Sequence, residues 1–169
     1  MADRVHPLAA SVAASPACAA VQLAALPPQT RLIICGDTAT LAAAGLTAPK
    51  PCHCVPHGPH ALLWLGPDEF MLLTAEDAIL SIPNTVDVSH RDTALSVSGP
   101  RAAWAINAFC ALDLHDAAFP VGMCARTLLG KAPVLLWRTA ETTFRIEVAR
   151  SPAPYVWACL EEARREFLA

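Results

Sequence analysis

Between residues 52 and 60 stand Cys52, His53, Cys54, His57 and His60. Thiolate and imidazole are the donors zinc prefers, and a loop can fold four of them into a tetrahedron. However, C-x-C followed closely by H-x-x-H is not a familiar structural spacing, and Pro51, Pro56 and Pro59 stiffen the wrap. The plainer reading is a proline-rich polar loop that happens to carry Cys and His. No metal ligand is assigned, and a zinc module on Cys52, Cys54, His57 and His60 ranks last of three functional readings.

Asp87, Ser89 and His90 invite comparison with a hydrolytic triad. Triads are assembled from distant segments, and side chains this close along a chain seldom converge. No G-x-S-x-G elbow is present. A turn whose polar groups cap backbone or meet another chain explains the run better. Arg91 follows directly, and Arg126 precedes an apolar strand. Guanidinium suits a planar, bidentate contact with carboxylate or phosphate, in a structural ion pair or at a contact surface. His90, Arg91 and Arg126 are therefore the candidate subunit-interface residues. Trp64 and Trp137 read as core, while Trp104 and Trp157 lie on helices where one could face a partner, since aromatics are enriched in interface cores.

Cofactor chemistry needs a cradle. No G-x-G occurs, nor a G-x-x-x-x-G-K loop, an H-E-x-x-H helix or an acidic calcium loop. No catalytic and no cofactor-binding residue is assigned.

The elements that must position these groups follow from pattern. The chain has 169 residues, 54% of them apolar and 34 of them Ala, with a net charge of −3. That is too apolar for disorder, and no apolar run approaches the ~20 residues of a membrane span. Without a Lys/Arg cluster it lacks a nucleic-acid footprint. Seven cysteines with no C-x-x-C pair fit a reducing compartment. The first residues lack the leucine-rich core of an export signal, so we read residues 1–17 as a flexible terminus and the location as cytoplasmic.

Arg31 to Cys35 reads as a buried strand, closed by Gly36, with Asp37 capping a short helix that Gly45 ends. Residues 47–60 read as loop or edge strand because of their prolines. Ala61–Leu65 and Glu69–Leu73 form a hairpin around Gly66-Pro67-Asp68. Leu95–Val97 then leads into Gly99-Pro100 and a helix, and strands follow at 127–129, 134–137 and 143–148. A last amphipathic helix, Pro152–Leu168, sets Val156, Leu160, Ala163 and Phe167 opposite Glu161, Glu162, Arg164 and Arg165. Gly36 matches Gly99, Leu62-Leu63-Trp64 matches Leu135-Leu136-Trp137, and Phe70 matches Phe144. The fold class is α+β: residues 18–169 form one domain of two pseudo-symmetric βαββ-like units, about 20–85 and 86–168.

Several stretches are familiar in order and spacing: Trp64-Leu-Gly-Pro-Asp-Glu-Phe70, Asp87-Val-Ser-His-Arg91, Leu95-Ser-Val-Ser-Gly-Pro100, Cys110-Ala-Leu-Asp-Leu-His115 and Leu135-Leu-Trp-Arg138. With Phe119 through Lys131, Ala149-Arg-Ser151 and Tyr155-Val-Trp157 they resemble the gamma subunits of the four-subunit bacterial sarcosine oxidases. The resemblance implies a fold similar to part of the folate-binding aminomethyltransferase fold. It implies alpha and beta partner subunits holding FAD, FMN and NAD, and a delta subunit holding zinc. The complex oxidises sarcosine with oxygen and passes the methyl carbon to tetrahydrofolate, giving glycine, hydrogen peroxide and methylenetetrahydrofolate. In this family the gamma subunit is not known to hold a cofactor.

The chain departs from the family in two places. Only Ala75–Leu80 stand where the family carries a fuller helix before Pro83, which implies a first unit that leans on a partner. The Cys52–His60 cluster is not part of the family pattern. The leading expectation is a non-catalytic structural subunit, and the runner-up is a stand-alone folate or one-carbon binding protein.

Overall fold

The computed structural model describes residues 6–74 and 82–168. The first strands are β1 (Gln22–Ala25) and β2 (Thr30–Cys35), separated by Pro27-Pro28. Arg31, Leu32, Ile33 and Ile34 are all buried, so β2 is covered on both faces. Helix α2 (Thr38–Ala43) starts where expected: the Asp37 carboxylate accepts the Thr40 N–H at 3.0 Å, and Gly45 leaves the helix at φ 73°. Strands β3 (Cys54–His57), β4 (His60–Gly66) and β5 (Glu69–Thr74) complete the first half. Pro56 sits in β3 because that strand is an edge.

The second half repeats the plan. It holds β6 (Thr85–Asp87), β7 (Asp92–Ser98), helix α3 (Ala102–Asn107), β8 (Cys124–Leu129), β9 (Ala132–Ala140), β10 (Thr143–Ala149) and helix α4 (Ala153–Arg164). Each half is thus a ββαβββ unit, one strand longer at each end of its α-helix than the βαββ reading.

The added first strands are exchanged. One sheet runs β3-β4-β5-β2-β6 and the other β8-β9-β10-β7-β1. Strand β1, from the first half, pairs antiparallel with β7, and β6, from the second, pairs antiparallel with β2. The exchange ties the halves together through backbone hydrogen bonds. Its tightest point is Gly99, at φ 117°, where any Cβ would stand 2.5 Å from the Ala20 carbonyl oxygen. The far edges also meet: the Cys54 N–H donates to Gly122 and the Cys124 N–H to Cys52, both at 2.8 Å, around a His53–Met123 bridge.

Among the described residues three apolar cores result. The second sheet buries Leu95, Val97, Leu136, Phe144 and Ile146 against Ala105 and Ile106 of α3 and Val156, Trp157 and Leu160 of α4. Between the sheets lie Ile33, Leu63, Leu65, Met71, Leu73 and Leu135. The outer face of the first sheet packs Leu32, Ile34, Leu62, Phe70 and Leu72 with Leu41 of α2. The short segment 75–80, whose length implied an uncovered sheet, lies outside the described residues.

The register corrects the pairing of the repeats. Leu63 faces Met71 and Cys54, whereas Trp137 faces Arg145 and Cys124. Leu63 therefore corresponds to Trp137, and Trp64, opposite Phe70, corresponds to Arg138, opposite Phe144. A shift of one residue exchanges the faces of a strand. Trp64 packs on the outer side of its sheet, while Trp137 packs between the sheets. Arg138 takes the Trp64 position, with its guanidinium 5.1 Å from the Phe144 ring centre.

Two further readings change. Arg164, placed by periodicity on a polar face, is 1% exposed. It donates to Glu161, to the Val21 and Pro16 carbonyls and to Ser15. Residues 8–16, read as part of a flexible terminus, contain helix α1 (Ala9–Ala13), and Leu8 is fully buried.

Candidate functional site

The two sheets are joined across their facing surfaces by charge as well as by apolar contact. Arg31 on β2 and Glu147 on β10, 2% and 3% exposed, meet at 2.7 Å. Arg145 donates to the other Glu147 oxygen at 2.6 Å and to the Gln29 side chain at 2.5 Å. A buried carboxylate needs such partners, since an unpaired one would carry its full desolvation cost. Ser89 extends the network: its hydroxyl accepts the Arg31 N–H at 2.9 Å and donates to Asp87 at 2.5 Å. That hydrogen bond, and the Ser89 N–H, hold the Asp87 carboxyl below its ordinary range. Asp87 and Ser89 therefore build the turn.

Beside this network a cleft of about 280 Å³ opens between the sheets. Ile33, Leu65 and Met71 form one wall, and Leu135 stands on the other. Arg91, Asp92 and Arg126 stand along it, with Glu147 inside. The Arg91 guanidinium makes a two-pronged contact with Asp92 at 3.0 and 2.9 Å, which raises its affinity for its proton. Arg126 pairs with Glu69, on the opposite sheet, at 2.6 Å. Both guanidiniums remain more than half exposed.

Of the three candidate interface residues, Arg91 and Arg126 thus meet at one cleft although 35 residues separate them. His90 is exposed on the turn before β7, next to Arg91. What sequence reasoning missed is Glu69 and Glu147: Glu69 opens a continuous apolar run, Glu147 alternates with apolar residues, and only the stacking of the sheets sets each opposite an arginine.

The Cys/His loop is split by the fold. Cys54 begins β3, His53 lies in the bridge to Met123, and the His60 ring meets the Thr74 hydroxyl at 2.5 Å. Cys54 and Cys124 are both pushed up to about 12, in each case chiefly by burial. Neither is a ready thiolate. Among the described residues no three His, Cys, Asp or Glu side chains come together as a metal ion requires. Trp104, by contrast, is 44% exposed, edge-on to Phe167 with ring centres 5.2 Å apart. Trp157 is buried and donates to Glu161 at 2.9 Å. No described helix is long and apolar enough to cross a membrane.

Residues 33–166 match the family described as "Sarcosine oxidase, gamma subunit family". The chain belongs to that family. It is 36% identical over 117 residues to sarcosine oxidase subunit gamma of Corynebacterium sp. strain P-1, covering 63% of this chain and 58% of that one. For the subunit of strain U-96 the identity is 38% over 119 residues, covering 64% and 58%. The matched stretch of this gamma-family chain thus spans 58% of these two curated relatives. Among solved structures it superposes on a chain of the heterotetrameric sarcosine oxidase from Corynebacterium sp. U-96 in complex with pyrrole 2-carboxylate. The TM-score is 0.88 at 32% identity, over 98% of this chain and 97% of that one. It also shares a fold with aminomethyltransferase T of the glycine cleavage system of Bartonella henselae. There the TM-score is 0.61 at 15% identity, over 85% of this chain and 46% of that one. The α+β class and the likeness to part of the aminomethyltransferase fold agree with the sequence reading.

Proposed function

We propose that this chain is a non-catalytic assembly subunit of a cytoplasmic heterotetrameric sarcosine oxidase. In this reading residues 18–169 act as one domain of two linked units, which brace larger subunits. Alpha and beta chains would hold FAD, FMN and NAD, a delta chain zinc, and the complex would demethylate sarcosine with oxygen and tetrahydrofolate. The observation that carries the reading is the superposition on one chain of a heterotetrameric sarcosine oxidase along nearly the whole length of both. The chemistry of the described residues supports it. The hydroxyl and carboxylate of Ser89 and Asp87 are committed to turn geometry, and the thiols of Cys54 and Cys124 are held protonated.

The interface role falls to His90, Arg91 and Arg126, on the charged surface around the cleft. Arginine is enriched at interfaces because its flat guanidinium contacts both apolar and anionic groups. Gentle purification of the tagged chain from its own host tests this reading. The expected eluate is yellow, with flavin absorbance, larger companion chains and sarcosine-dependent peroxide. A colourless, lone, stable monomer would overturn it.

A further inference from the structure

We propose that the cleft between the two sheets is a binding site for a small amphipathic monoanion: an aromatic or branched aliphatic body carrying one carboxylate. The inference does not rest on the assembly reading, because the cavity lies between the sheets of this chain alone.

Shape comes first. The volume of about 280 Å³ lies near the lower end of small-molecule sites, which are concave and mostly apolar with few fixed polar groups. Ile33, Leu65, Met71 and Leu135 offer an apolar slot between two rigid sheets. Such a slot takes a flat or branched hydrocarbon body and rejects a strongly hydrated one.

Charge then selects among apolar ligands. Among the described residues, Arg91 and Arg126 stand at the edge of the cleft, while Arg31 and Arg145 lie behind Glu147 and are engaged by it. Three carboxylates face them: Asp92, Glu69 and Glu147. Glu147 is held by two arginines through both its oxygens. Asp92 occupies one edge of the Arg91 guanidinium. A guanidinium has five N–H donors, so Arg91 and Arg126 keep donors beyond those contacts. Spare guanidinium donors beside an apolar slot favour a carboxylate over a neutral ligand.

The Glu69–Arg126 pair gives the site its signature. Glu69 is an internal competitor: its carboxylate, 33% exposed, holds the same guanidinium that a ligand carboxylate would engage. Loss of Glu69 should therefore strengthen binding, while loss of Arg126 should weaken it. A site of mere hydrophobic adsorption would move in neither direction.

The test uses the full chain with naphthylacetate and its neutral isostere naphthylacetamide, followed by calorimetry and by NMR shifts of the cleft methyl groups. Naphthylacetate should shift Ile33, Leu65, Met71 and Leu135 and bind at least about tenfold tighter than the amide, the scale of one charge-assisted contact. Arg126→Ala should remove most of that preference, and Glu69→Gln should tighten the carboxylate about threefold or more. A destabilised variant cannot mimic the second result. Equal affinity for acid and amide, shifts confined to other surfaces, no tightening in Glu69→Gln, or no binding at millimolar probe would each overturn the proposal.

Discussion

Glu147 shows how one side chain holds the two halves together. It sits 3% exposed between Arg31 of the other sheet and Arg145 of its own. Truncating one member of such a network leaves opposite charges buried without a partner, a loss of about 3–5 kcal/mol. Glu147→Ala should therefore lower the unfolding free energy obtained from urea titration by that amount. Replacing Arg31 and Glu147 together with leucine should recover most of it, because the desolvation cost leaves with the charges. Neither partner announces itself in the sequence. Arg31 opens a strand of apolar residues, and Glu147 alternates with Ile146 and Val148 as any outward residue would. Sequence alternation tells which residues share a face, but not whether another sheet covers that face.

At the scale of elements, helix α4 and the N-terminal segment are linked by Arg164 and Glu161. Burial works to raise the Glu161 pKa, but hydrogen bonds from Arg164, Ser15 and Trp157 outweigh it and leave the carboxyl below its ordinary 4.5. A carboxyl with a depressed folded pKa contributes stability above its unfolded pKa and loses it as pH falls through the folded one. Amide protection factors at residues 15–21 should therefore fall between roughly pH 5 and pH 3, and Glu161→Gln should flatten that dependence. Helix periodicity made Arg164 a surface residue because Arg165 and Glu161 flank it. Only the return of residues 15–21 along the helix makes it buried. The hairpins β4–β5 and β9–β10 were legible, since alternation and turn residues are local signals. The exchange of β1 and β6 was not, because strands of four and three residues carry no mark of which sheet they join. The face of Trp64 against Trp137 failed for a related reason: matching residue types aligned the repeats one position away from their register.

For the whole molecule, the two units cannot separate without breaking β-ladders. The β1–β7 and β6–β2 pairings, the Arg31–Glu147 pair and the contact between the β3 and β8 edges all cross from one half to the other. A chain so tied is suited to transmit shape as a rigid brace, which is the role we propose for this gamma-family chain. The family was legible in the sequence through ordered stretches from Trp64 to Trp157. The cleft was not, because residues 33, 65, 71, 91, 126, 134 and 148 are brought together only by stacking the two sheets. The most direct test of the central claim is peroxide formation from sarcosine per bound flavin, in complexes carrying His90→Ala, Arg91→Ala or Arg126→Ala. If the chain braces without taking part in chemistry, weakened interfaces will lower the yield of intact complex while turnover per flavin stays unchanged. Intact, flavin-loaded complexes that have lost turnover would contradict it.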